Sequence, residues 1–297
     1  MRIGCVALLC MGIVLGGDLP LGAQAADSGV PLLSCSGLPC VEVTVGGKPL
    51  KMLLDTGNAN SVLDRAIADD LQVKLQPVNG PDGKPYPNFA SGTTNVRLGD
   101  TDLGDLEVLF ANLKPTIDKG MMPAADGTLA YTAFKGRALT IDYKNKRVHV
   151  SGVNAEATCP QSCGIISNPT FGKHGPPIVV TTGFSLNGKP LIVQIDTLYA
   201  GTMLIYPPSV GKLGLTDQQA SLVRRKFPFT DGGVEMIEGS ASKEAFGDNV
   251  LGKNVAVYFA TRKVHVPDGM FDGTVGNELF LGHVLTLDFH TNHFWIS

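Results

Sequence analysis

The chain repeats itself once, at long range, and this limits its possible folds more than any other feature. Gly47-Lys48-Pro49-Leu50, three residues, then Leu54-Asp55-Thr56 returns 141 residues later as Gly188-Lys189-Pro190-Leu191, three residues, then Ile195-Asp196-Thr197. Asp126-Gly127-Thr128-Leu129-Ala130 returns 146 residues later as Asp272-Gly273-Thr274-Val275-Gly276. Phe134, Gly136, Leu139-Thr140 and Asp142 stay in step with Phe280, Gly282, Leu285-Thr286 and Asp288. Between these anchors, Leu98-Gly99-Asp100 and Leu103-Gly104 match Phe246-Gly247-Asp248 and Leu251-Gly252. The period is too long for a solenoid or propeller and predicts two homologous lobes.

Each copy reads as strands. Val41 to Val45 alternates before a Gly-Gly turn, and Leu50 to Leu54 then runs apolar into Asp55. In the second copy, Ile178-Val179-Val180 and Phe184-Ser185-Leu186 lead to the Asn187-Gly188 turn, and Leu191 to Ile195 delivers Asp196. Late in each copy, residues 138–143 with 147–150, and 284–289 with 293–296, are strand pairs across polar turns. Asp142 and Asp288 lie inside them, where alternation points them outward. Helices are expected only at 64–71 and at 216–226, where Thr216 can cap. With 36 Gly and 19 Pro in 297 residues, a helical bundle or coiled coil is excluded. The predicted fold is all-β: a first lobe over 26–150, a connection over 151–175 and a second lobe over 176–297.

Arg2, an uncharged stretch over 3–17 and Ala23-Gln24-Ala25 read as a secretory signal cleaved after residue 25. A retained anchor is the rival, but the run falls short of the roughly 20 residues needed to span a bilayer. No other segment is long enough. Leu32-Leu33-Ser34-Cys35 faintly resembles a lipoprotein box, yet lies well past the apolar run. Export to the periplasm or beyond removes Cys5 and Cys10 and leaves two close pairs, Cys35 with Cys40 and Cys159 with Cys163. Disulfides are favoured over a four-thiolate zinc site, with all three connectivities open. A net charge of −3 and the lack of a long basic run exclude nucleic acid as the expected partner.

An apolar strand that ends in a carboxylate is costly unless the carboxylate is paired or used. Two such strands in duplicated lobes would bring Asp55 and Asp196 together across a pseudo-twofold axis. There the two could share a proton, one acting as base on a water and the other as donor to a carbonyl. Thr56 and Thr197 would bond across the axis, and Gly57 would admit close backbone approach.

Leu53-Leu54-Asp55-Thr56-Gly57, then Ser61-Val62-Leu63 and the later Asp126-Gly127-Thr128-Leu129-Ala130, resembles the retropepsin-type aspartic protease unit. Two units in one chain resemble the bilobal pepsin arrangement, over residues 40–297. The resemblance implies two six-stranded β barrels, a cleft between them and a flap hairpin around 79–94. Tyr86 is the candidate aromatic over the substrate, or else a plain loop residue. It places the catalytic aspartates at Asp55 and Asp196, with a peptide or protein substrate, no metal or organic cofactor, and a monomer rather than a dimer of first lobes.

The second loop departs from the pattern: Leu198 and Tyr199 stand where Gly57 and Asn58 stand in the first, and Asn58 itself replaces a usual Ser, Thr or Ala. Ala130 replaces a common Gly that Gly276 keeps. Two functions therefore compete: an exported aspartic endopeptidase, and a silent relative whose cleft binds peptides or envelope proteins with Leu198 and Tyr199 filling the old reaction centre. Retention of both aspartates favours the enzyme. Ser61 and Thr202, equivalent in the repeat, lack a His or Lys partner and read as supporting hydrogen-bond groups. Asp126 and Asp272 read as turn carboxylates, and Arg224-Arg225-Lys226 as a solvated face. His283, His290 and His293 read as surface residues rather than a metal site.

Overall fold

The computed structural model describes residues 29–80, 83–155, 157–160, 162–169, 177–213, 219–225, 234–260 and 270–297. The expected signal over 1–25 lies outside them, as does part of the expected connection, including Lys173-His174-Gly175. The first copy forms β1 (Val30–Pro31), β2 (Leu33–Cys35), β3 (Leu38–Val45), β4 (Lys48–Asp55), β5 (Val62–Asp64), β6 (Gln76–Asn79), β7 (Pro85–Leu98), β8 (Thr101–Ala111), β9 (Gly127–Ala130), β10 (Ala138–Asp142) and β11 (Arg147–Val150). After these come β12 (Gly164–Ser167), β13 (Val180–Leu186), β14 (Lys189–Asp196), β15 (Met203–Ile205), β16 (Gln219–Arg225), β17 (Val234–Phe246), β18 (Asn249–Ala260), β19 (Gly273–Gly276), β20 (Val284–Asp288) and β21 (His293–Ile296).

The fold is all-β and two-lobed. In the first lobe β3-β4-β9-β5-β8-β7 closes on itself through pairing of β7 with β3. In the second, β13-β14-β19-β15-β18-β17 closes in the same way through β17 and β13. Closure leaves neither six-stranded barrel with a free edge inside the ring. The matched turns explain the matched hairpins. Gly46-Gly47 has φ of +54° and +85°, and Asn187-Gly188 has +50° and +80°. Two successive positive φ values suit the two-residue turn that matches strand twist, and Gly and Asn reach them at least cost.

A third sheet, β1-β11-β10-β20-β21-β12, joins the lobes. Its centre is antiparallel pairing of β10 with β20, in which Thr140 faces Thr286 and every other pair is arranged symmetrically about them. These two threonines are equivalent in the repeat, so the pseudo-twofold axis passes between them, and their Oγ1 atoms lie 3.0 Å apart. Each lobe has its own apolar core; Tyr143 and Phe289, also equivalent positions, pack against both.

Several local expectations change. Residues 219–225 are strand β16 rather than helix, paired with β17 along one side. The counterpart β6 pairs with β7 at the same register, Gln76 with Ser91 where Gln219 meets Gly239, so tertiary pairing overrides the local capping signal. The helix expected over 64–71 shrinks to a single 3-10 turn, Arg65–Ile67, capped by the Asp64 carboxylate, which accepts from the Ala66 N–H at 2.8 Å. The expected connection contains a strand, β12, which pairs with both β21 and β13. Asp288 is buried rather than outward-facing, because its carboxylate folds over the following turn and accepts from the His290 and Thr291 N–H groups and the Thr291 hydroxyl. The cysteines pair locally, Cys35 with Cys40 and Cys159 with Cys163, which settles the connectivity and removes the thiolate zinc site. No helix among the described residues is long and apolar enough to cross a membrane.

Candidate active site

Strands β4 and β14 carry the site. Met52, Leu53 and Leu54 are buried and fix β4 in its barrel, where it runs parallel to β9; β14 runs parallel to β19 in the same way. Asp126 and Asp272 hold the starts of these parallel pairs. Asp126 accepts from the Lys51 N–H at 2.8 Å and Asp272 from the Ile192 N–H at 2.9 Å. The strand ends then project Asp55-Thr56 and Asp196-Thr197 toward each other.

The two threonines interlock. The Thr56 N–H donates to Thr197 Oγ1 and the Thr197 N–H to Thr56 Oγ1, both at 3.1 Å. Each hydroxyl passes its own hydrogen across to the opposite strand, Thr56 to the Ile195 carbonyl at 3.1 Å and Thr197 to the Leu54 carbonyl at 2.6 Å. Both residues are buried, so every one of these polar groups needs the partner it has. Four reciprocal bonds therefore set the relative position of the two aspartate loops.

Asp55 is buried and Asp196 half-buried. Asp55 Oδ1 accepts from the Gly57 N–H at 3.1 Å; Asp196 Oδ1 accepts from the Leu198 N–H at 2.9 Å and the Tyr199 N–H at 3.2 Å. Burial and then the Asp196 charge push the Asp55 carboxyl well above the ordinary range, against the opposing pull of the Gly57 and Asn58 N–H groups. Burial also raises Asp196, against the Leu198 and Tyr199 N–H groups. Two interacting carboxyls, both shifted upward, favour holding a proton between them. A Cβ at Gly57 would lie 2.3 Å from the Asp196 carboxyl carbon, so only glycine fits there.

The sequence comparison agrees with this geometry. Residues 41–132 match the family model described as aspartyl protease. No curated protein matches the chain.

The aspartate loop of the first lobe and its second-lobe counterpart differ in length. Val62 pairs with Thr128 in one lobe, but it is Leu204, not Met203, that pairs with Thr274 in the other. The second loop is one residue longer between the aspartate and the next strand, and the strand register matches Ser61 with Met203 rather than Thr202. Ser61 accepts from the Ala130 N–H at 2.9 Å. Thr202 instead donates to the Ala256 carbonyl, and Gly276, the Ala130 counterpart, donates to the Thr202 carbonyl at 2.8 Å. The longer loop also explains the Ala130–Gly276 difference: a Cβ at Gly276 would lie 2.3 Å from the Tyr199 carbonyl oxygen.

Leu198 and Tyr199 turn into separate apolar clusters. Leu198 is 5% exposed and packs with Leu38, Leu53, Leu113, Met122 and the Cys35–Cys40 disulfide of the first lobe. Tyr199 packs with Met236 and Tyr258 of the second. Asn58 accepts from the Asn60 N–H at 3.1 Å, which makes its side chain a turn element.

A cavity of about 880 Å³ opens beside the aspartates. Asp55, Gly57, Asp196, Leu198 and Tyr199 form its base, and Val62, Leu109, Ala111 and Leu113 its apolar wall. The β6–β7 hairpin lies where the flap is expected, but Tyr86 is 49% exposed and does not line the cavity; Pro87, Asn88 and Phe89 do. Phe89 is thus the aromatic residue that this hairpin contributes to the cavity. Gln194 has a role the sequence reading missed: its Nε2 donates to the Gly57 carbonyl at 2.9 Å and ties the second strand to the first loop. A polar residue between Val193 and Ile195 was the available signal. Among the described residues there is no group of three or more His, Cys, Asp or Glu that could hold a metal ion.

Proposed function

We propose that the chain is an exported aspartic endopeptidase in which Asp55 and Asp196 act as a dyad on a peptide extended through the cavity. The observation that carries this reading is the reciprocal threonine lock, which sets one buried and one half-buried carboxyl, both shifted toward protonation, at one cleft. In the singly protonated dyad the carboxylate takes a proton from water as the water oxygen bonds to the scissile carbonyl carbon, and the carboxyl gives its proton to the carbonyl oxygen. Collapse of the resulting diol breaks the C–N bond, and the amine leaves with a proton returned from the dyad. The two disulfides are compatible with an oxidising compartment outside the cytosol and so support export.

Leu198 at the Gly57 position is what favours the alternative, a silent peptide-binding relative. Its packing into the first-lobe cluster weighs against that reading, because the side chain is accommodated without displacing the two N–H donors of Asp196. Cleavage of an unstructured protein between pH 3 and 7 tests the proposal. Asp55→Asn or Asp196→Asn is expected to cut the rate by at least about a hundredfold. Unchanged cleavage in either variant would overturn the dyad; no cleavage by the wild type would favour the silent relative.

A further inference from the structure

Among the described residues the cleft is open on the first-lobe side of the aspartates and packed on the other. In the second lobe Tyr206 Oη and Thr274 Oγ1 lie 2.8 Å apart, and Gln194 Oε1 accepts from that threonine at 3.5 Å. Ile178 and Phe271 pack around Tyr206 and complete the plug. Strand register makes Asp64 the first-lobe counterpart of Tyr206 and Thr128 that of Thr274. Asp64 is short and turns away to cap Ala66. The Thr128 hydroxyl is therefore left buried with no hydrogen-bond partner among the described residues, in the wall of the cavity.

Arg65 follows Asp64 on the rim of the same cavity. Its side chain is exposed, and the guanidinium forms no ion pair or hydrogen bond with a described residue. Among the described residues it is the only cation lining the cavity, and the other charged groups there are the two aspartates. A singly protonated dyad carries one negative charge and repels a substrate carboxylate, so an acidic side chain could settle here only beside a cation. A guanidinium supplies paired donors that match a carboxylate, and the neighbouring wall, with Val62, Leu109 and Leu113, suits the methylenes that lead to it.

Resting on the protease reading, we propose that Arg65 makes the first-lobe side of the cleft a subsite for an acidic substrate side chain, glutamate above all, beside the scissile bond. Arg65 is a specificity residue here, with no part in the bond-breaking step. The buried Thr128 hydroxyl offers the same side chain a second polar contact.

Matched peptides carrying Glu, Gln or Lys at each position flanking the scissile bond, assayed near pH 5.5, test this. The pH lies above the ordinary glutamate pKa of about 4.3, so the side chain is ionised. At one flanking position the wild type is expected to cleave the Glu peptide about tenfold better in kcat/KM than the Gln peptide, mostly through KM. Arg65→Gln should bring that ratio close to one, and Arg65→Glu should shift preference to the Lys peptide. A wild-type ratio at or below one at every position, or a ratio that survives Arg65→Gln, overturns the subsite. Binding of the same labelled peptides to Asp55→Asn and Asp55→Asn/Arg65→Gln, read by fluorescence anisotropy, separates the two claims. A Glu preference in binding that disappears with Arg65→Gln, without cleavage by the wild type, supports the subsite and sinks the protease. Cleavage without any Glu preference does the reverse.

Discussion

The two lobes share a barrel, a turn chemistry and an aspartate strand, yet they treat the same positions differently. Where the first lobe buries Val96 in its core, the second places Glu244, with neither carboxyl oxygen hydrogen-bonded to a described residue. The positions are equivalent by register: Val96 pairs with Val45 and Gly104, Glu244 with Leu186 and Gly252. Where the first lobe has Gly57, the second has Leu198, and where the second fills the space beside its aspartate with Tyr206, the first leaves a cavity. The first lobe therefore holds the opening and the second supplies the packing. Duplication preserved what both loops need in order to interlock, and divergence fell on positions outside that threonine lock.

The largest effect should come from making the two loops alike. Gly57→Ala puts a methyl against the Asp196 carboxyl carbon, with 2.3 Å of room, and is expected to lower kcat by about a hundredfold or more. Steady-state kinetics on a peptide substrate would read this; an unaffected kcat would mean that the loops adapt more freely than their reciprocal hydrogen bonds indicate. Next comes Glu244. Burial raises its carboxyl from 4.5 to about 8. Since the folded pKa lies above the unfolded one, its contribution to stability is fully present below pH 4.5 and is lost as pH rises through about 8. The loss is on the order of 4 kcal/mol. Glu244→Val should remove that slope, so urea denaturation of wild type and variant at pH 5 and pH 8 should differ in how stability changes with pH. Parallel profiles would show that the Glu244 carboxylate finds a hydrogen-bond donor or solvent that its surroundings do not suggest.

Leu198→Ala should cost about 2 to 4 kcal/mol by opening a cavity next to the Cys35–Cys40 disulfide. The same measurement checks it: a loss well under 1 kcal/mol would place the side chain in the cleft rather than in the cluster. Ser61→Ala is expected to be smaller, about 1 to 2 kcal/mol, because it leaves the buried Ala130 N–H without its acceptor. The corresponding change in the second lobe, Met203→Ala, tests the register instead. A cost above that of Ser61→Ala fits a fully buried methionine at the Ser61 position, and a negligible cost would restore the pairing of Ser61 with Thr202.

Much of this was legible before folding. Residues Asp55 and Asp196 could be located because an apolar strand ending in a carboxylate is anomalous, and twice so when the anomaly repeats. The Thr56–Thr197 lock followed from the same repeat, since identical side chains on equivalent loops must meet at the axis if their aspartates do. The extra residue in the second loop was not legible, because Ser61 and Thr202 look interchangeable and only strand pairing shows that Met203 takes the place of Ser61. Strand β16 was misread for a related reason: a capping threonine is a local signal, whereas its pairing with β17 is not.

The amino-acid sequence by itself determined the number of lobes, their strand character, the turns and the two carboxylates, because each is written in spacing or in backbone requirements that travel with a few residues. Only the tertiary structure decided which wall of the cleft is open, where Leu198 points, and that Glu244 lies in the dark of a core while Arg65 stands free at a rim. Those outcomes depend on which side chains from distant strands fill the same space, and a linear pattern carries no record of shared volume.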